Sequence, residues 1–250
     1  MDMRSLHLAG APPSGSNADV SVLYDINGVA DSTPPWFDRG AAFLGEYGLI
    51  GLLGVLLAVC WWRVRRRPGA VPAVAALLWG PLAAALAWLA NMPIRAIVER
   101  PRPFREHDGL EVLLPGTTGY SFVSDHTSVA MALAVGIFMA SRRYGLAALA
   151  LALLEALSRM YLGVHYPSDV VGGIALGTSV ALLLAPAATA GLVPLLRRAP
   201  EWLVADPEGP DAGADPDPAA DPRDPGAVPA PRTEPMERGG GGRDGDELAA

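Results

Sequence analysis

Five apolar runs, near residues 41–62, 71–91, 127–140, 145–164 and 170–190, are separated by short polar breaks. A helix that crosses the hydrocarbon core of a bilayer needs about 20 mostly apolar residues, within a range of about 17–25. Four runs meet that length, and the run at 127–140 must recruit its flanks to do so. The apolar residues are gathered into blocks rather than spread through the chain as in a soluble protein. The pattern predicts an all-α, polytopic membrane bundle of about five spans, with a soluble helical bundle as the lesser alternative. It divides the chain into an N-terminal leader (1–40), a membrane domain (41–198) and a tail (199–250).

Residues 1–20 lack the charged start and apolar core of a signal peptide. In residues 21–40, Val22, Leu23, Ile26 and Val29 alternate with Asp25 and Asp31 before Pro34-Pro35. An amphipathic segment lying on the membrane and a disordered leader fit that stretch equally well. The tail is rich in Pro, Asp, Gly and Ala, with Gly239–Gly242 in a row. Such a composition cannot bury a core, so disorder is expected there.

Charge changes the picture once it is divided along the chain. The formal net charge is −7, but residues 200–250 hold 13 acidic residues and 4 arginines, a net of −9, leaving residues 1–199 at +2. The acidity belongs to the tail and says nothing about a substrate. No lysine occurs, so every fixed cation is arginine, and the single cysteine, Cys60, excludes an intramolecular disulfide. Short cytoplasmic connections concentrate positive charge. Placing Arg63–Arg67, Arg142-Arg143 and Arg197-Arg198 inside gives one consistent topology, with the N-terminus out and the tail in. The 92–123 loop then lies outside while carrying Arg95, Arg100, Arg102 and Arg105, against the charge rule. Either Glu99, Glu106, Asp108 and Glu111 neutralise these arginines, or an anion is bound there.

Three polar clusters meet at that outer boundary. The first is Arg95 with Arg102-Pro103 seven residues on, two guanidinium groups that can each grip a phosphate bidentately. The second is Ser124-Asp125-His126 at the entry to the third span, where helix N-terminal N–H groups are natural phosphate ligands. The third is Ser158-Arg159, followed after five residues by His165 and after three more by Asp169. Ionisable residues at the end of an apolar run are costly unless functional. On a helical or near-helical path His165 and Asp169 share a face, and Arg159 lies about 9 Å before His165 along the axis. Glu155, four residues before Arg159, is in the favourable order for an intrahelical pair. Gly172, Gly173 and Gly177 suit close helix approach, and His107 reads as a solvated loop histidine. Three arginines, a helix terminus and two histidines without a metal-ligand cluster suggest metal-independent phosphoryl transfer. His165 is the better nucleophile, with Asp169 to hold its tautomer, and His126 is the leaving-group acid.

The three clusters resemble the signature of the type 2 phosphatidic acid phosphatase superfamily: Lys-x6-Arg-Pro, then Pro-Ser-Gly-His, then Ser-Arg-x5-His-x3-Asp. The third motif is complete from Ser158 to Asp169. The first is present as Arg95-x6-Arg102-Pro103 with arginine for lysine, and in the second Val123 and Asp125 replace proline and glycine. A Ser-Asp-His version is similar to the bacterial undecaprenyl pyrophosphate phosphatases associated with bacitracin resistance, as is the early Asn27-Gly28 segment. The resemblance covers roughly residues 20–190. It implies His165, His126 and Asp169 as the catalytic residues and Arg95, Arg102, Ser124 and Arg159 as the phosphate ligands.

It further implies a multi-pass cell-membrane enzyme, with its active site facing outward. That enzyme would hydrolyse a polyprenyl diphosphate to the monophosphate and support lipid-carrier recycling for cell-wall synthesis. No cofactor, metal or nucleic-acid partner is expected; the partners are the lipid substrate and the bilayer. The alternatives are a phosphatase for phosphatidic acid, phosphatidylglycerophosphate or another isoprenoid phosphate, and a non-catalytic membrane protein that binds a phosphorylated lipid.

Overall fold

The computed structural model describes residues 17–205; the expectations for residues 1–16 and for the acidic tail from 206 onward lie outside the described residues. Within them the chain is helical and no strand occurs. Asn17 caps α1 (Ala18–Asn27), accepting a hydrogen bond from Val20 N at 3.1 Å. Val20, Leu23 and Tyr24 of α1 are buried against Tyr166. A 3-10 turn leads to α2 (Pro35–Phe43), which passes through a π-helical turn at Leu44–Gly48 directly into α3 (Leu49–Val64). The first apolar helix therefore starts at Pro35, whose fixed φ suits a first helical position, rather than near residue 41.

Gly69 turns the chain into α4 (Ala70–Val98), which runs well past the expected end at residue 91 and keeps Pro81 and Pro93 inside it. The expected 92–123 loop is thus shorter, and Arg95 lies on the last turn of α4. A single turn, α5 (Pro103–Glu106), interrupts the connection to α6 (Asp125–Ala140). Then come α7 (Arg142–Tyr161), α8 (Pro167–Leu183) and α9 (Ala185–Leu196). The last apolar run was read as one span, but α8 and α9 meet at a 49° bend. Pro186, in the first turn of α9, has no N–H to continue the α8 ladder.

Three stretches are long and apolar enough to cross a membrane: Pro35–Val64, Ala70–Glu106 and Arg142–Tyr161, with the bent α8–α9 pair as a fourth. At 16 residues α6 is shorter, and it is the central helix, packed against α4, α7 and α8 and buried almost continuously from Thr127 to Ile137. Leu146, Leu153, Leu183 and Leu195 point outward and stay more than half exposed. Such outward leucines are what a bundle solvated by lipid presents. Trp79 Nε1 donates to Ala181 O at 2.8 Å and pins α4 to α8. A Cβ on Gly177 would lie 2.2 Å from Ser128 O, and one on Gly173 2.8 Å from Ser124 O, so the glycines of α8 set its approach to α6.

The spans α3, α4, α6, α7 and the bent α8–α9 pair alternate in direction. Arg63–Arg67, Arg142-Arg143 and Arg197-Arg198 therefore gather at one end of the bundle, opposite Arg95, Ser124, Arg159 and His165. After α9 the chain folds back on the end of α3: Ala205 N donates to Arg65 O at 2.9 Å, and Trp61 Nε1 to Leu203 O at 3.2 Å. Gly177→Leu should overpack the α6–α8 contact at a cost of about 1–3 kcal/mol. This would be read as a lower melting temperature in detergent micelles, with Gly54→Leu, where a Cβ meets open space, leaving it unchanged.

Candidate active site

The site is built where three helix ends converge. α7 ends at Tyr161, and Gly163, at φ +73°, turns the chain away, so His165 sits in a short loop rather than on the expected helical path. Pro167 then opens α8, and Asp169 falls in its first turn. His165 and Asp169 still meet, with Nδ1 and Oδ2 3.6 Å apart. Asp169 is fully buried: its Oδ2 accepts from Tyr166 N at 2.9 Å and its Oδ1 from Arg100 Nη1 at 2.9 Å. His165 is 4% exposed. Its burial lowers the pKa below the usual histidine value against the opposing pull of Asp169, which favours the neutral imidazole a nucleophile requires.

Arg102 is likewise buried. Its Nη1 donates to Val164 O at 3.1 Å and lies 3.4 Å from His165 Nε2, and its Nε donates to Thr118 O at 3.2 Å. Arg102 also feels the like charges of Arg95 and Arg159. Arg159, 2% exposed, donates from Nη1 to Gly45 O at 2.7 Å and to the buried Glu155 at 3.3 Å, the intrahelical pair expected from the spacing. Its Nη2 meets Glu46 Oε2 at 3.2 Å, and the same oxygen is 3.8 Å from His126 Nε2. Ser124 is the N-cap of α6, fully buried, accepting from Thr127 Oγ1 at 3.0 Å, while its N–H donates to Asp169 O at 3.1 Å. Arg95 is paired with Asp125, and Asn91 Nδ2 bridges Asp125 Oδ1 at 2.6 Å and Val123 O at 2.9 Å.

Arg102, His165, Asp169 and Ser124 form one bonded set, and Arg159 and His126 meet through Glu46 in a second. Arg159 and His126 are near enough to act electrostatically on His165, while Arg95 is paired with Asp125. The Nε atoms of Arg95 and Arg159 and Nδ1 of His165 are buried without a hydrogen-bond partner. Unsatisfied cationic donors in a pocket are what an anion would complete. The arrangement can hold a phosphoryl group between fixed guanidinium groups, with one imidazole to attack it and another to protonate what departs.

The sequence reading passed over four contributors. Arg100, which the motif does not require, holds Asp169, Ser168 and Asp19, the last at 2.6 Å, and lies over the Tyr166 ring at 3.7 Å. Asp19 in turn accepts from Ser168 N at 2.8 Å. Hydrogen bonds from Arg100 and Ser168 hold the Asp19 carboxyl below its ordinary range although burial pushes it up. Asn91 and Glu46 are the others. Asn27 is not part of the site but clamps it, bonding Glu111 O at 2.8 Å and Tyr161 O at 2.9 Å. His107 is not simply solvated; it sits edge-on between the rings of Tyr24 and Tyr166.

Comparison with known proteins identifies the family. Residues 73–190 match the PAP2 superfamily. The chain is 35% identical over 148 residues to decaprenylphosphoryl-5-phosphoribose phosphatase of Mycobacterium tuberculosis, covering 58% of this chain and 76% of that one. It is 28% identical over 146 residues to undecaprenyl-diphosphatase BcrC of Bacillus subtilis, covering 58% and 72%. The crystal structure of a transmembrane PAP2-type phosphatidylglycerolphosphate phosphatase from Bacillus subtilis aligns at TM-score 0.49 and 23% identity, over 74% of this chain and 91% of that one. The chain belongs to the PAP2 superfamily and is a membrane-embedded lipid phosphatase.

Arg100→Ala removes the cation beside a fully buried carboxylate. Phosphate release from a phosphorylated lipid and the melting temperature should both fall, activity by about tenfold or more. Arg105→Ala, on an exposed residue without a site contact, should change neither.

Proposed function

We propose that the protein hydrolyses a polyprenyl diphosphate to the monophosphate and orthophosphate, at the outer face of the cell membrane, supporting reuse of a lipid carrier for cell-wall synthesis. The reading rests on one juxtaposition: Arg159 stands beside an apolar groove of about 770 Å³. Trp36, Phe37, Leu44 and Leu154 line that groove, and it reaches the site through Gly45 and Ser158. Gly45 O holds Arg159, and Ser158 precedes it in the chain. A charged head at the arginines and a hydrocarbon chain in the groove is the division that such a lipid requires. BcrC, named an undecaprenyl-diphosphatase, supports the diphosphate. The outward orientation is supported by the arginines gathered at the opposite end of the bundle, the cytoplasmic signature.

In the reaction, His165 Nε2 attacks the terminal phosphorus while its Nδ1 faces Asp169. The bond from phosphorus to the bridging oxygen breaks, and His126 gives that oxygen its proton, releasing polyprenyl phosphate. Water then attacks the phosphohistidine, losing a proton to His126, and orthophosphate leaves. Arg102, Arg159 and Arg95 stabilise charge on the equatorial oxygens, with Ser124 at the helix N-terminus as a further ligand. No metal takes part in these steps.

A second reading, a phosphomonoesterase for a polyprenyl-linked phosphate, is favoured by the likeness to the decaprenylphosphoryl-5-phosphoribose phosphatase. Purified protein with polyprenyl diphosphate, a polyprenyl-linked sugar phosphate and phosphatidic acid separates the readings. The diphosphate should be turned over fastest, unaffected by chelators. His165→Ala should lower release by about 1,000-fold or more, at the level of losing a central catalytic group. Faster turnover of either monoester overturns the substrate, and undiminished release by His165→Ala overturns the nucleophile.

Ala41→Trp, placed in the groove, should raise KM severalfold for a long-chain diphosphate and leave KM for a short-chain, water-soluble diphosphate unchanged. An equal effect on both would place the tail elsewhere.

A further inference from the structure

Glu46 belongs to none of the three motif clusters, yet it reaches into the site. It lies on the π-helical turn Leu44–Gly48, a distortion that recurs at functional positions. The turn is pressed onto α7: a Cβ on Gly45 would stand 2.9 Å from Ser158 Oγ and 3.0 Å from Leu162 Cδ1. That approach delivers the Glu46 carboxylate between two groups of different function. Its Oε2 is 3.2 Å from Arg159 Nη2 and 3.8 Å from His126 Nε2.

A single oxygen near both groups has a counterpart in the proposed reaction. The bridging oxygen of the substrate must be bonded to the phosphorus that Arg159 holds and must receive its proton from His126. Glu46 Oε2 faces the same two groups. The two carboxylates around Arg159 are not equivalent. Glu155 is fully buried on the same helix and fixed, whereas the Glu46 side chain is 31% exposed and can swing away. Glu155 already pairs with this guanidinium, so a phosphoryl group arriving with Glu46 in place would be a third anionic group around Arg159. Like charges at such range repel strongly where water is scarce.

We propose that Glu46 is an internal stand-in for the leaving oxygen, occupying the empty site and displaced by the phosphoryl group of the substrate. This rests on the reading of the site as one for phosphoryl transfer. The carboxylate competes with every anion that the arginines bind, and its return after turnover expels orthophosphate. A closed form populated at about 90% would weaken apparent anion affinity about tenfold, since only the open fraction binds.

The test uses full-length protein in detergent micelles, comparing wild type with Glu46→Gln and Glu46→Ala. Inhibition constants for orthophosphate and vanadate are measured against whichever phosphorylated lipid the wild type hydrolyses, together with KM, kcat and melting temperature. Both variants should bind orthophosphate and vanadate about tenfold more tightly, with KM falling in the same sense and kcat not rising. Unchanged or weaker inhibition in both variants overturns the proposal, because a carboxylate that only braced Arg159 would weaken anion binding when removed. Orthophosphate affinity is also measured directly by phosphorus NMR on the same samples. A wild type that hydrolyses none of the lipids sinks the functional reading, while tighter orthophosphate binding by Glu46→Gln would still uphold the displaced anion and its absence would overturn it.

Discussion

A guanidinium group that is 2% exposed inside an apolar bundle must find its solvation in the protein, and Arg159 draws it from three groups on two segments. Glu155 supplies charge from the preceding turn of α7, Gly45 supplies a carbonyl from the π-helical turn, and Glu46 supplies a carboxylate that reaches on toward His126. The need to satisfy this cation fits the close approach of the chain before α3 to α7, where a Cβ at position 45 would stand 2.9 Å from Ser158 Oγ. It also explains how a buried arginine is held at this helix end with its charge compensated.

Around Asp169 the same logic is repeated with the sign reversed. Its carboxylate is spoken for by the Tyr166 N–H and by Arg100, which is itself anchored to Asp19 on the N-terminal helix. The imidazole of His165 lies between this acidic knot and the Arg102 guanidinium. Asp125 adds a third balance, pairing Arg95 and bonding Asn91, so the residue standing where the family motif has glycine is tied into the helix that carries the first cation. The site is therefore a set of interlocking pairs contributed by segments far apart in the chain.

The Ser158–Asp169 cluster was legible in the sequence because ionisable groups stand out at the end of an apolar run, and the helical architecture because the runs are long. The same reasoning could have found Glu46, the lone charged residue in the run from 41 to 62, and Asn91 at the end of the next. Neither falls in a spacing that suggests a partner, since their contacts are 113 and 34 residues distant. Arg95 was assigned to a loop because the apolar run ends near residue 91, but α4 continues to Val98 with Pro93 inside it and is capped by Glu99 in the left-handed conformation. Arg100 was underrated for a related reason: its partners, Asp19 and Asp169, are brought to it by α1 and α8, an arrangement that local pattern does not encode.

The gathering of Arg102, His126, Arg159 and His165 at one end of the antiparallel bundle makes the molecule one-sided. On the proposed assignment of these residues, it would act on headgroups presented in a single leaflet and leave the dephosphorylated lipid in that same leaflet. Chemistry and transbilayer movement are thereby uncoupled. A cell that needs the product on the opposite side must carry it across by a separate step, and the supply of lipid to that step is then set by an enzyme that never moves it.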